Sequence, residues 1–210
     1  MSYEPSWTDE YREIVEFYWW EPQIIGRSEK NYRKFRSADE MWHSVAPKEV
    51  ALNHILNIFF ALFPLEKLTI FDLTEQHQML SSKELADIQT AMGNATQPDF
   101  FFVSEKEHVA IELKTATKSS RQQLEKYRKL HDFIDTQKPF RIILLTPHTQ
   151  IQDIVREPID DYPHPIEVVS INAFHQELGG LHDLGSTEQR LVRGIRQYLA
   201  RYFSGILTTY

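Results

Sequence analysis

The 210-residue chain contains no cysteine. That excludes a disulfide framework, a thiol nucleophile and a thiolate zinc site, and it suits a reducing compartment. The opening stretch, MSYEPSWTDEYREIVEFYWWEP, is acidic and lacks a basic segment followed by an apolar one, so no secretory signal is legible. No uncharged apolar run is long enough to span a bilayer; the best, ILNIFFALFPL, is too short. A soluble, cytoplasmic protein with no membrane partner is the expectation. Also missing are a glycine-rich phosphate loop, a GxSxG elbow, a dinucleotide-binding fingerprint and any HExxH or HxH pair among the nine histidines. Their absence takes nucleotide-driven chemistry off the table.

What remains is ordinary globular composition, 41% apolar and 25% charged, enough for one substantial domain with a decorating extension. The formal net charge of −7 argues against coating nucleic acid by charge alone. The charges are nevertheless segregated. Between residues 114 and 129 stand Lys114, Lys118, Arg121, Lys126, Arg128 and Lys129 against Glu125 alone, whereas from Asp153 to Asp183 the only strong base is Arg156. One basic face on an acidic body and a set of solvated helix faces both account for this.

Residues 1–45, rich in Trp, Tyr and Arg, read as a weakly patterned helical extension packed on a domain spanning 46–210. Pro47 suits a first helical turn, and KEVALNHILNIFFALF continues as an apolar helix that ends before Pro64. KLTIFDLT is a strand candidate. SSKELADIQTAMGN reads as a helix, with Ser81 and Glu84 in capping-box spacing and Gly93-Asn94 as its stop. Two apolar runs follow in QPDFFFVSEKEHVAIELK. Then come an amphipathic helix, SSRQQLEKYRKLHDFID, two buried strands, FRIILLTP and IEVVSI, and a last helix, TEQRLVRGIRQYLARYF. The order predicts an α/β fold: a mixed sheet flanked by helices on both sides, with N-terminal and C-terminal helical additions.

The two central runs carry charge where a packed strand would avoid it. In a hairpin with Glu105-Lys106 at its tip, facing residues sum to 211: Val103 with His108, Phe101 with Ala110, Asp99 with Glu112. Paired residues share a face, so Asp99, Glu112 and Lys114 converge at one end, while Phe100 and Phe102 lie beside Ile111 and Val109. A one-residue slip would turn Asp99 to the wrong side. Two carboxylates at that distance repel unless a cation lies between them. Hard oxygen ligands without sulfur or clustered imidazole suit Mg²⁺ or Mn²⁺. A lysine on the same face can orient or deprotonate a water and stabilise charge developing on phosphorus. A surface ion pair at a strand end is the competing account.

These residues resemble the PD-(D/E)XK nuclease superfamily, whose fold is restriction-endonuclease-like. The likeness rests on Pro98-Asp99, on Glu112-Leu113-Lys114 one strand later, and on Gln123-Leu124-Glu125-Lys126-Tyr127, which fits the QxxxY element of RecB-like and Cas4-like branches. KEVALNHILNIFFAL precedes three strands, as the family's αβββαβ core requires, and the likeness covers roughly Pro47 to Thr146. It implies that Asp99 and Glu112, joined by the Leu113 carbonyl, bind the metal. It implies that Lys114 is the catalytic amine, with Gln123 and Tyr127 beside it, and that Glu49 is an acidic contributor from the preceding helix. Lys118, Arg121, Lys126 and Arg128 would meet phosphates if their helix borders a DNA groove. Ser120 and Gln123 also fit a capping box, Tyr127 also lies on the apolar stripe, and Glu49 also suits a helix dipole. The resemblance implies a Mg²⁺- or Mn²⁺-dependent deoxyribonuclease acting on DNA rather than RNA. Cutting both strands of a duplex generally takes two sites, so a homodimer is among the expected partners. The alternative is a catalytically inactive module of the same fold, used for nucleic-acid binding or protein assembly.

Overall fold

A computed structural model describes residues 6–12, 38–93, 98–115, 119–148, 150, 154–157 and 159–207. The chain divides into two compact units, Met1–Phe59 with Leu181–Tyr210, and Phe60–Gly180. Among the described residues no helix is long and apolar enough to cross a membrane.

The central unit is built on a five-stranded mixed sheet in the order β1-β2-β3-β4-β5, where β1 is Gln78–Met79, β2 Phe100–Val103, β3 His108–Leu113, β4 Phe140–Thr146 and β5 Ile166–Ser170. β2 runs antiparallel to both β1 and β3, while β4 lies parallel to both β3 and β5. The β2–β3 hairpin has the register expected from its charges, with Val103 opposite His108 and Phe101 opposite Ala110. Ser104 makes the turn that Glu105-Lys106 alone would not. Its hydroxyl accepts from the backbone N–H groups of Lys106 and Glu107, at 3.2 and 3.0 Å.

Each sheet face buries its own set of side chains, as the period-two alternation demands. On one, Phe101, Ala110, Ile142 and Leu144 meet Leu85 of helix α3 (Ser82–Met92) and Leu124, Tyr127 and Leu130 of α4 (Arg121–Asp135). On the other, Phe60 from the last turn of α2 (Glu49–Leu62) meets Phe100 and Phe102 edge-on at 4.9 and 6.1 Å, with Phe71 5.6 Å away. Both ends of α3 match the sequence expectation: Ser81 and Glu84 close a capping box, and Gly93 caps the other end at φ +68°.

Three expectations need correction. KLTIFDLT is not a strand; Leu65–Lys67 and Thr69–Phe71 form two 3₁₀ turns, and the first strand lies beyond them at Gln78–Met79. Across the two turns the buried residues Leu65, Leu68 and Phe71 recur every three positions, which is the 3₁₀ period, and Leu73 is buried just beyond them. The turns are pinned from outside: Arg141 Nη2 donates to the carbonyls of Phe71 and Asp72, both at 2.9 Å, and Asp72 adopts a left-handed φ of 48°. The second correction concerns β5, which ends at Ser170, while Ile171 opens a helix, α5 (Ile171–Gly180). The Ser170 hydroxyl accepts from the Ala173 N–H at 3.0 Å, the cap of that helix, and Ile171, Phe174 and Leu178 form its buried stripe. Third, β5 is an edge strand with only Val169 fully buried, not a core strand.

In the unit formed by the termini, residues 7–12 are helical, followed by α1 (Ala38–Val45), the start of α2, α6 (Ser186–Tyr202) and α7 (Ser204–Leu207). Trp7 lies against Gly194 of α6, where an added Cβ would stand 2.0 Å from its indole nitrogen, and that nitrogen donates to the Leu191 carbonyl at 3.2 Å. Trp42 donates to the Tyr202 hydroxyl at 2.8 Å, and Tyr198 to the Ala46 carbonyl at 2.7 Å.

Candidate functional site

The charged end of the hairpin becomes a buried polar cluster around Glu112. This residue sits one position before the end of β3, on the face that α4 covers, and only 3% of it is exposed. Burying a carboxylate without partners would cost several kcal/mol, and the chain supplies donors to both oxygens. Oε1 accepts from Gln123 Nε2 at 2.6 Å and faces the Lys114 ammonium at 2.5 Å. Oε2 accepts from the Tyr127 hydroxyl at 2.5 Å and, more weakly, from the Asp99 N–H at 3.4 Å.

Local structure explains why these groups meet. Lys114 follows β3 by one residue, and its N–H donates to the Leu145 carbonyl at 2.9 Å, which carries the pairing with β4 past the end of the strand. Asp99 precedes β2, and its Oδ2 accepts from the Leu113 N–H at 2.8 Å. Gln123 and Tyr127 stand four residues apart on α4 and therefore share a face. Their side chains contact each other at 2.6 Å. The Tyr127 pKa is driven upward, first by burial and then by the charge of Glu112, so the phenol stays protonated and donates.

Asp99, Glu112, Lys114, Gln123 and Tyr127 thus come together. The start of α4 shows where the Gln123 side chain goes. The Ser120 hydroxyl accepts from the Gln123 N–H at 3.2 Å, but the Gln123 amide reaches Glu112 and Tyr127, so the capping box is only half made. Glu49 lies in the first turn of α2, in the terminal unit. Lys118 is outside the described residues. Of the other expected phosphate contacts, Arg121 forms a bidentate pair with Asp161 at 2.7 and 3.0 Å, and Arg128 binds Glu125 and Asp132 at 2.8 and 2.6 Å. Lys126 is half-buried on α4.

Two residues the sequence reading left out belong to this neighbourhood. Glu157 accepts from the Arg121 N–H at 2.9 Å, in the first turn of α4, and Asp161 takes the Arg121 side chain. The acidic segment thus folds against the basic helix, and the opposed charge of the two stretches was the available signal.

For a metal ion the donor set consists of the carboxylates of Asp99 and Glu112 and the Leu113 carbonyl between Glu112 and Lys114. Among the described residues no group of three or more His, Asp or Glu converges on one point. Two carboxylates with no sulfur or imidazole fit a hard divalent ion that keeps several of its own waters, as Mg²⁺ and Mn²⁺ do. No protein-family model, curated protein or solved structure matches the chain.

Proposed function

We propose that the chain is a metal-dependent deoxyribonuclease of the PD-(D/E)XK class, with a restriction-endonuclease-like fold. The observation that carries this reading is the Glu112 cluster. A carboxylate is held almost fully out of water by a lysine two residues on, a tyrosine and a glutamine, with a second carboxylate bonded to the next backbone N–H. A chain needing only stability would do better with an apolar residue at position 112. The order α2, β1, α3, β2, β3, α4, β4 holds the αβββαβ series of that superfamily with α3 inserted between its first two strands.

In this reading Asp99, Glu112 and the Leu113 carbonyl hold Mg²⁺ or Mn²⁺, which when bound supplies Lewis acidity and a lowered pKa for water. Lys114 places an ammonium where negative charge grows on the phosphoryl oxygens. Gln123 and Tyr127 fix the orientation of Glu112, so that its geometry is set before substrate arrives. In-line attack by water on phosphorus, by analogy with the superfamily, leaves a 5′-phosphate.

The test is cleavage of supercoiled plasmid and end-labelled single-stranded DNA with Mg²⁺, Mn²⁺ or EDTA, by the wild type and by Lys114→Ala. Metal-dependent cutting that Lys114→Ala abolishes is the expected result. Equal cutting by both proteins, or none by either, removes support for catalysis here. The second outcome favours a module that binds nucleic acid or protein without hydrolysis.

A further inference from the structure

At the opposite end of the same two elements, β3 and α4 are joined a second time. His108, the first residue of β3, and His131, four residues beyond Tyr127 on α4, face each other with their Nδ1 atoms 2.9 Å apart. Both are 1% exposed. The His131 ring stacks on Phe140 at 4.8 Å with the planes 6° apart, and His164 stands edge-on to it at 5.7 Å. Phe101 lies 5.8 Å from His108.

The chemistry of this contact is restrictive. A bond between two Nδ1 atoms requires one ring to carry its proton on Nδ1 and donate, while the other carries its proton on Nε2 and accepts. A first added proton, taken at Nε2 of the donor, keeps the bond but leaves a cation in an apolar pocket. A second removes the last lone pair from the contact and sets two N–H groups against each other. The charged groups nearby do not cancel this. Lys138, in the loop after α4, opposes protonation of His108 and Asp135 favours it. On α4, Asp132 and Asp135 favour a charge on His131 whereas Arg128 opposes it, as does His164 from the segment before β5. Around His164 itself, Asp132 and Glu125 favour the charge and Arg128 opposes it. Burial is the largest influence on all three rings and pushes each pKa down, His108 to about 4.

We propose that His108 and His131 form an acid-released latch between β3 and α4, closed when the pair is neutral and opened when it takes up protons. The same strand carries Glu112 next to its last residue and leads to Lys114, and the same helix carries Gln123 and Tyr127, so opening the latch loosens the donors around Glu112. The latch stands on its own geometry, whatever reaction the Glu112 cluster performs.

The test is hydrogen–deuterium exchange of the full chain at pH 7.4 and pH 5.0, corrected for the intrinsic pH dependence of exchange. Amides of α4 should lose about tenfold or more in protection at the lower pH. Those of α6, in the other unit, should keep theirs. In His108→Asn/His131→Asn the α4 difference should vanish. Unchanged α4 protection in the wild type, or an equal loss in the double variant, overturns the latch. Should the double variant not fold, ¹⁵N NMR of the wild-type imidazoles decides. One ring must be the Nδ1–H tautomer and the other Nε2–H, with both titrating below the ordinary histidine value. A ring that titrates near the ordinary histidine value of about 6.5 refutes it.

Discussion

Removing the Tyr127 hydroxyl isolates one oxygen of the buried carboxylate. Oε1 of Glu112 keeps Gln123 and Lys114, whereas Oε2 is left with the Asp99 N–H at 3.4 Å, too long for a strong bond. Tyr127→Phe deletes one atom and creates no cavity of consequence, so transfer of apolar area plays almost no part. What is lost is a hydrogen bond to a charged acceptor, about 1.5–3 kcal/mol between partners that are nearly or wholly buried, together with the acceptor for Gln123 Nε2, which keeps its bond to Glu112 Oε1. We expect a loss of about 2 kcal/mol in urea unfolding. Tyr127 stays protonated through the neutral and mildly alkaline range, so the loss should hold steady between about pH 7 and 9.

Glu112→Gln supplies the control. An amide oxygen still accepts from the phenol, but without the charge, so in that background Tyr127→Phe should cost only about 1 kcal/mol. The cycle then yields a coupling of about 1 kcal/mol between the two residues. A cost below about 0.5 kcal/mol in the wild-type background, or the same cost in both, would mean that the phenol does not hold the carboxylate. The picture of Glu112 as an anion oriented by α4 would then be wrong.

Three further outcomes follow from other contacts. Gly194→Ala would put a Cβ 2.0 Å from the Trp7 indole, so Trp7 must leave α6; a loss of about 2–3 kcal/mol and red-shifted tryptophan emission are expected. Mn²⁺ at about one hundred times its Kd should stabilise the wild type by about 2.7 kcal/mol and leave the thermal midpoint of Asp99→Ala where it was. The His108 pKa falls from 6.5 to about 4 on folding, so its contribution to stability is complete above about pH 6.5 and fades as pH drops toward 4, amounting to at most about 3 kcal/mol. Urea midpoints of the wild type should therefore fall across that window and those of His108→Asn/His131→Asn should fall less.

The hairpin register was legible because its charges are costly in the wrong place. A slip of one residue would set Phe100, not Asp99, opposite Glu112 on the face that α4 covers, so the pattern allowed one pairing, and β2 and β3 adopt it. The amphipathic stripe of α4 was legible for a related reason: Leu124, Tyr127 and Leu130 repeat at the helical period, and all three are buried. KLTIFDLT carried no such constraint. Its apolar residues fit a period of two or of three, and what selects three lies far along the chain, in the Arg141 guanidinium that binds two carbonyls of the turn. The helix after β5 was hidden by the run of apolar residues through Ile171; Ser170, its cap, was the local sign that the strand had ended. Long-range pairs such as Glu157 with the first turn of α4 had only complementary charge to announce them, and charge alone does not say which partner is met.

The starts of α3 and α4 show what kind of signal separates scaffold from candidate site. At Ser81 the N3 glutamate returns to the cap and the box closes on itself, with Glu84 Oε2 2.7 Å from the Ser81 N–H. At Ser120 the same spacing holds and the hydroxyl still caps the helix, yet the N3 glutamine turns away to Glu112 and Tyr127. The two helices share a capping pattern and differ in where the N3 side chain spends its hydrogen bonds. Leaving the cap half made forfeits part of a contribution of about 1 kcal/mol. In turning away, Gln123 aims its amide N–H at a buried charge instead, where a hydrogen bond is worth about twice as much. That exchange is favourable only because a carboxylate sits at position 112, on a strand whose other inward residues along that face are apolar or imidazole. The sequence feature that betrays the Glu112 cluster is therefore the charge in the strand, and the helix that follows supplies two of its donors.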